Sequence, residues 1–219
     1  MSTFILGISA QYHDSAATLL RDGEVIAAAN EERFSRLKHD PSLPIRASRW
    51  CLESAGITMD DVDYVVFYEK PLRKFERLLI QQLLHFPKSF KAFRRSSMVW
   101  LTDKLWVRNA LVKHLGIHPD KILWSEHHLS HAASVFYGSD LAEAAVLTVD
   151  GVGEWATTGL WKAGPEGIKP IFQVNFPESI GLVYSAFTAF LGFRVNNGEY
   201  KVMGMAAYGD PVFEDEVLK

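Results

Sequence analysis

The chain is 219 residues long, with 48% hydrophobic and 22% charged residues and a formal net charge of −3. That balance describes a folded, soluble protein of one large or two small domains and excludes a disordered or low-complexity chain. A single cysteine, Cys51, excludes an internal disulfide framework, and no apolar run is long enough to span a bilayer.

In chain order, residues 3–10 predict a first strand, and Gln11-Tyr12-His13-Asp14 a polar loop leading to a second strand over 15–20. Arg21-Asp22-Gly23-Glu24 is a hairpin signal, because Asp-Gly readily takes the positive φ values of a tight turn. A third strand follows over 25–30, then a charged loop from Glu31 to Asp40, broken by Pro41 and Pro44. Residues 45–54 carry a helical pattern ended by Gly56, and Cys51 within it is expected to be a buried, inert thiol. Val62 to Tyr68 predicts a short apolar strand, and residues 72–115 predict helices with a break around Pro87. This block is basic: from Lys70 to Lys113 eleven Lys and Arg face two acids, a net of +9, which leaves −12 for the rest of the chain. It is either a solvated helical face or a surface for an anionic partner, whether nucleotide phosphate, nucleic acid, an acidic membrane or an acidic domain.

Ile122 to Trp124 predicts a brief strand feeding Ser125-Glu126-His127-His128-Leu129-Ser130-His131, where three of eight histidines fall within five positions. A helix from Ser125 sets His127 and His131 one turn apart on one face and turns His128 away. Ala144 to Val149 then predicts a buried strand, and Asp150-Gly151-Val152-Gly153 a turn at its end. Two imidazoles from a helix and one carboxylate from a strand end make the donor set of a divalent-metal site with open positions, suited to iron(II) first and to manganese or zinc as well. His127, His131 and Asp150 are therefore expected to converge. The bland alternative is a surface helix that happens to carry histidines.

Beyond Asp150, residues 155–161 and 168–174 predict two more strands around an Ala163-Gly164-Pro165-Glu166-Gly167 turn. Residues 181–193 predict a well-buried helix, and the glycine-rich 198–209 a backbone-close turn. Phe213 to Lys219 predicts the first turns of a further helix. Strand, polar loop, strand, tight turn, strand thus occurs at 3–30 and again at 144–174. This points to an α/β fold of the duplicated actin-like ATPase and sugar-kinase (ribonuclease H-like) kind, with a cleft between its halves. The first half is expected over 1–142, with a helical insertion at 70–115, and an incomplete second half over 143–219. Phosphate would sit on the turns at 10–15, which includes Asp14, and at 150–154, which includes Gly151 and Gly153, cradled by backbone N–H groups.

Five segments in order carry a specific resemblance. They are Gly-Ile-Ser-Ala-Gln-Tyr-His-Asp-Ser-Ala-Ala (7–17), Glu-Glu-Arg-Phe-Ser-Arg-Leu-Lys-His (31–39), Glu-His-His-Leu-Ser-His-Ala-Ala-Ser (126–134), Val-Asp-Gly-Val-Gly-Glu (149–154) and Gly-Glu-Tyr-Lys-Val-Met-Gly-Met-Ala-Ala-Tyr-Gly (198–209). Together they resemble the carbamoyltransferase family of nodulation-factor and antibiotic O-carbamoyltransferases, and more distantly the tRNA threonylcarbamoyl transferases. The resemblance implies that carbamoyl phosphate and ATP are converted to carbamoyl-adenylate in a separate C-terminal domain. The carbamoyl group then passes to an acceptor hydroxyl in the actin-like domain. It also implies that His127, His131 and Asp150 are metal ligands, and that Lys38 lies near the carbamoyl-adenylate. A further aspartate ligand has no candidate position here.

An alcohol is a poor nucleophile at neutral pH and a carbamoyl carbonyl is unreactive, so the chemistry needs a Lewis acid, a cation near the developing oxyanion and a base. His13 or His128 is the expected base, with His13 ranked first and His39 behind them; His85, His114 and His118 are expected to be structural. Tyr200, Lys201 and Gly204 are expected to line the same cleft, with Glu199 and Lys201 forming an ordinary exposed pair as the alternative. The opening residues show no signal peptide, so a cytoplasmic location is expected. The chain is expected to be the N-terminal part of a longer or split enzyme, inactive alone, and to pair with another copy or with the missing adenylate-forming domain. Competing readings are a superfamily ATPase or kinase, a tRNA-modifying enzyme and a non-enzymatic binding domain. Nucleic acid is disfavoured because the basic block has no aromatic platform for stacked bases.

Overall fold

The computed structural model describes residues 2–217, which divide into two compact units between Ser134 and Val135; the last two residues of the helix expected over 213–219 lie outside the described residues. The first unit is built on a five-stranded mixed sheet. Strands β1 (Phe4–Ser9), β2 (Ala16–Arg21) and β3 (Glu24–Asn30) form an antiparallel meander, and β4 (Tyr64–Phe67) and β5 (Ile122–Trp124) extend it in parallel beside β1. The order is β3-β2-β1-β4-β5. The β2–β3 turn is the one its sequence calls for: Asp22 and Gly23 take φ of 53° and 91°, the positive pair that matches a hairpin's twist.

Alternation along β1, β2 and β4 places Leu6, Ile8, Ala17, Leu19, Val65 and Phe67 in one buried core. Helix α2 (Ile45–Ala55) packs on β2 and β3 and contributes Ala47, Cys51 and Leu52. Cys51 is fully buried, which pushes its thiol pKa up, as an inert cysteine requires. The charged stretch after β3 is not all loop. Glu32–Ser35 forms one helical turn, α1, closed by Arg36 at a φ of 62°.

The insertion between β4 and β5 comprises α3 (Pro71–Leu84), α4 (Phe90–Thr102) and α5 (Val107–Leu115), with the break at the expected proline. Val107 and Leu111 of α5 reach the core, whereas Leu83, Leu84, Phe86 and Phe90 at the α3–α4 connection are exposed. Helix α6 (His127–Phe136) follows β5 directly.

The second unit repeats the meander. Strands β6 (Ala144–Val149), β7 (Ala156–Gly164) and β8 (Gly167–Asn175) form an antiparallel sheet with β7 central. Strand β6 is buried on one face only, through Val146 and Thr148, while Leu147 and Val149 are exposed. Helices α7 (Ile180–Phe190), α8 (Glu199–Ala206) and α9 (Glu214–Val217) complete it.

The strand at Ala144–Val149, expected to be buried, is thus covered on one face only, and two further expectations are corrected here. Helix α7 is not well buried: Ile180, Val183, Phe187 and Phe190 are exposed and only Thr188 is fully enclosed. Its apolar residues lie around the whole helix, so a single packed face cannot cover them all. The 198–209 segment is a helix followed by a turn rather than a turn throughout, because Glu199 to Ala206 contains mostly good helix formers. No helix among the described residues is long and apolar enough to cross a membrane.

Candidate functional site

Strand β5 ends at Trp124, Ser125 N donates to Phe67 O of the neighbouring strand (2.9 Å), and the chain turns at once into α6. Ser130 Oγ donates to Tyr68 O (2.9 Å), which anchors the first turn of α6 to the end of β4. The four-residue spacing then brings the His127 and His131 Nε2 atoms to 3.2 Å. Two nitrogens held by one ion at about 2.0–2.1 Å each, with an angle between square and tetrahedral, would stand about 2.8–3.4 Å apart. The pair therefore fits a divalent metal. His128, one position on, is turned into the protein and is 2% exposed, as its rotation around the helix dictates.

Behind His127 lies a residue that sequence spacing did not reveal. Glu69, just past β4 and 6% exposed, places Oε2 at 3.8 Å from His127 Nδ1 and accepts from Lys74 Nζ at 2.7 Å. Metal-binding histidines characteristically have a carboxylate facing their second ring nitrogen, which sets the tautomer and ring orientation. Lys74 also lies 5.5 Å from the Tyr12 ring centroid. Lys104, from the turn between α4 and α5, has its pKa lowered by burial and then by the charge of Lys74. Part of the basic insertion is thus turned inward, toward Glu69, and is not a purely solvated face.

The loops at 10–15 and 31–40 meet in the same unit. Asp14 accepts from His13 Nδ1 at 2.8 Å through one carboxylate oxygen and from His39 Nδ1 at 2.9 Å through the other. Lys38, beside His39, is exposed. The structure thus brings His13, Asp14 and His39 together, although Asp14 engages ring nitrogens through its side chain. His85, His114 and His118 lie elsewhere, at the end of α3, within α5 and ahead of Pro119.

In the second unit, Asp150 ends β6 half-buried, with its N–H donating to Thr157 O at 2.9 Å. The turn is clamped by the start of α7. Ser179 Oγ donates to Gly151 O (2.7 Å) and accepts from Leu182 N (3.0 Å), serving the turn and the helix cap together. Gly153 N closes the turn onto Ala156 O at 2.9 Å. Tyr200, Lys201 and Gly204 all lie on α8, with Lys201 Nζ 6.0 Å from the Tyr200 ring centroid. Glu199 does not pair with Lys201; its carboxylate instead accepts from Asn196 N, Gly198 N and Ser185 Oγ. That ties α8 to the loop before it and to α7.

Residues 4–219 match the model of the carbamoyltransferase N-terminus family. A Synechocystis protein, sll1178, is 51% identical over 223 residues, covering 99% of this chain and 36% of its own length. The nodulation protein NolNO of Sinorhizobium fredii is 39% identical over 204 residues, covering 91% of this chain and 28% of its own. Among solved structures, YeaZ from Pseudomonas aeruginosa overlaps 80% of this chain and 68% of its own, at 14% identity and a TM-score of 0.41. The chain spans about a third of the length of the curated relatives it matches. With the motifs in order from the first strand to α8 and a family match over nearly every residue, the chain belongs to the carbamoyltransferase N-terminus family.

Proposed function

We propose that this chain is the metal-binding, group-transferring part of an O-carbamoyltransferase that moves a carbamoyl group from carbamoyl-adenylate to an acceptor hydroxyl. The observation that carries the reading is the His127–His131 pair, 3.2 Å between Nε2 atoms, in a chain of this family. Asp150 is assigned as the third ligand, as the resemblance carried by the 149–154 segment implies. Iron(II) fits the two-histidine, one-carboxylate set, and manganese or zinc is the alternative. The mixed sheet of the first unit and the second three-strand meander support an actin-like, duplicated fold.

A bound divalent ion supplies Lewis-acid polarisation of the carbonyl and a seat for the adenylate phosphate. Lys38 offsets the charge that develops on the carbonyl oxygen. His13 Nε2 takes the proton of the acceptor hydroxyl as its oxygen bonds the carbamoyl carbon. The carbon–oxygen bond to the phosphate then breaks and AMP leaves with the electron pair. Gly151 and Gly153 of the β6–β7 turn, with Tyr200, Lys201 and Gly204 of α8, are assigned to nucleotide binding. Carbamoyl phosphate and ATP are the primary substrates, activated by an adenylate-forming partner domain.

Elemental analysis of the purified chain should find about one divalent metal per chain, and His127→Ala should remove it while circular dichroism stays unchanged. Metal retained by the variant at the wild-type ratio would sink the assignment. In the complete enzyme, the products should be a carbamate ester, AMP and pyrophosphate. ADP with a phosphorylated acceptor would show a kinase instead.

A further inference from the structure

We propose that Asp14 is a positioning residue that sets the tautomers of two histidines at once, so that His13 presents a bare Nε2 to the acceptor hydroxyl while His39 clamps the carboxylate. The inference rests on the reading in which His13 takes the hydroxyl proton. Its basis is the pair of hydrogen bonds at opposite oxygens of one carboxylate, 2.8 Å to His13 Nδ1 and 2.9 Å to His39 Nδ1. An ionised carboxylate can only accept, so each Nδ1 must carry a proton, and each neutral ring is left with an unprotonated Nε2. Burial acts to raise the pKa of Asp14, but the hydrogen bonds from His39 and His13 outweigh it and hold the carboxyl below its ordinary range. Asp14 therefore stays an acceptor across the pH range in which histidine works as a base.

The backbone shows that this contact is built rather than incidental. Gln11, Asp14 and His39 all take left-handed φ values, 68°, 51° and 58°. That conformation is uncommon outside glycine and persists where surrounding contacts over-determine it. Those contacts are present: Gln11 N donates to Pro41 O (2.8 Å), Ser15 N to Asp40 O (3.0 Å) and His39 N to Glu32 Oε2 (3.1 Å). The loops at 10–15 and 36–41 are thereby stitched into one piece. The two rings differ at one atom. Their side chains are similarly exposed, 44% for His13 and 36% for His39, but the His39 Nε2 atom is buried with no hydrogen-bond partner. His13 is therefore the ring assigned to meet a substrate, and His39 the one assigned to hold Asp14. An Nδ1–H tautomer also leaves the buried Nε2 atom of His39 as a lone pair and not as a stranded donor.

The test is nitrogen-15 NMR of the imidazole rings, on the wild-type chain and on Asp14→Asn, at a pH where histidines are neutral. In the wild type, both His13 and His39 should carry their proton on Nδ1. The asparagine amide offers one acceptor and one donor, so in the variant one of the two rings should move its proton to Nε2. In the complete enzyme, Asp14→Asn should lower kcat by about 10²–10⁴-fold, the range of a positioned general base, with KM little changed. The wild-type spectrum decides even if the variant does not fold: rings with the proton mainly on Nε2, as in free histidine, overturn the proposal. Unchanged tautomers in a folded Asp14→Asn variant overturn it equally. Fixed tautomers combined with full transfer by His13→Ala would support the positioning and remove His13 as the base.

Discussion

Glu31 shows how a charged residue of the 31–39 motif serves the fold before it serves any chemistry. Its carboxylate, 4% exposed, accepts from Ala47 N at 2.9 Å and from Arg46 N at 3.3 Å. These are N–H groups of the first turn of α2, whose own N-cap residue, Pro44, makes no side-chain cap. A carboxylate there satisfies orphan donors and complements the helix dipole. Asp40 instead fixes the adjoining loop. Hydrogen bonds from Ser42 Oγ and Ser35 Oγ, then from Ser42 N, hold its carboxyl below its ordinary pKa. A carboxyl depressed in the folded state stabilises the protein above its unfolded pKa and loses that contribution as pH falls through the folded value. Asp40→Asn should therefore cost about 1–2 kcal/mol at neutral pH, with the difference from wild type shrinking below about pH 4. Urea unfolding from pH 7 to pH 3 measures this, and a pH-independent difference would contradict it.

Among the elements, the approach of α7 to the end of β6 does most to place Asp150. A Cβ built on Gly181 would lie 2.6 Å from Asp150 C and 2.7 Å from Gly151 N, with Asp150 O closer still. Both neighbours are backbone and cannot swing aside, so only glycine lets the helix start against this turn. Gly181→Ala must displace either α7 or the Asp150 turn. With Asp150 as the proposed ligand, displacing its support is expected to lower metal affinity about 10–100-fold on titration of the chain with divalent metal. Alanine at 181 with wild-type affinity would show that the clamp is not needed. Helix α8 is held by a similar fit, since a Cβ on Gly198 would meet Phe193 Cβ at 2.7 Å and Arg194 O at 2.8 Å.

For the whole molecule, the distribution of exposed apolar side chains matters more than the net charge. Leu83, Leu84, Phe86 and Phe90 are uncovered in the first unit, and Ile180, Phe187, Phe190 and Tyr208 in the second. Clusters of this kind mark surfaces that seek a partner. The chain is expected to self-associate with rising concentration and to bind an apolar dye in its folded state. Light scattering across a concentration series checks this, and a strict monomer without dye binding would rule it out. The inward-facing Lys74 and Lys104 reduce the share of the insertion's +9 charge that is free for an anionic partner.

What the sequence determined by itself is whatever short-range pattern encodes. Alternation set the strands of both meanders, Asp22-Gly23 set a hairpin, and a four-residue spacing set the His127–His131 pair on one helical face. Only the tertiary structure decided which distant groups meet. Asp14 joins His39 across 25 positions, Glu31 caps a helix 15 and 16 positions on, and Glu69 comes to stand behind His127. No periodicity announces such contacts, because they arise from the docking of loops on a finished sheet. For the same reason, 198–209 could be read as a turn and 181–193 as a buried helix. Glycine content and hydrophobicity are local properties, whereas burial depends on what the rest of the chain brings alongside.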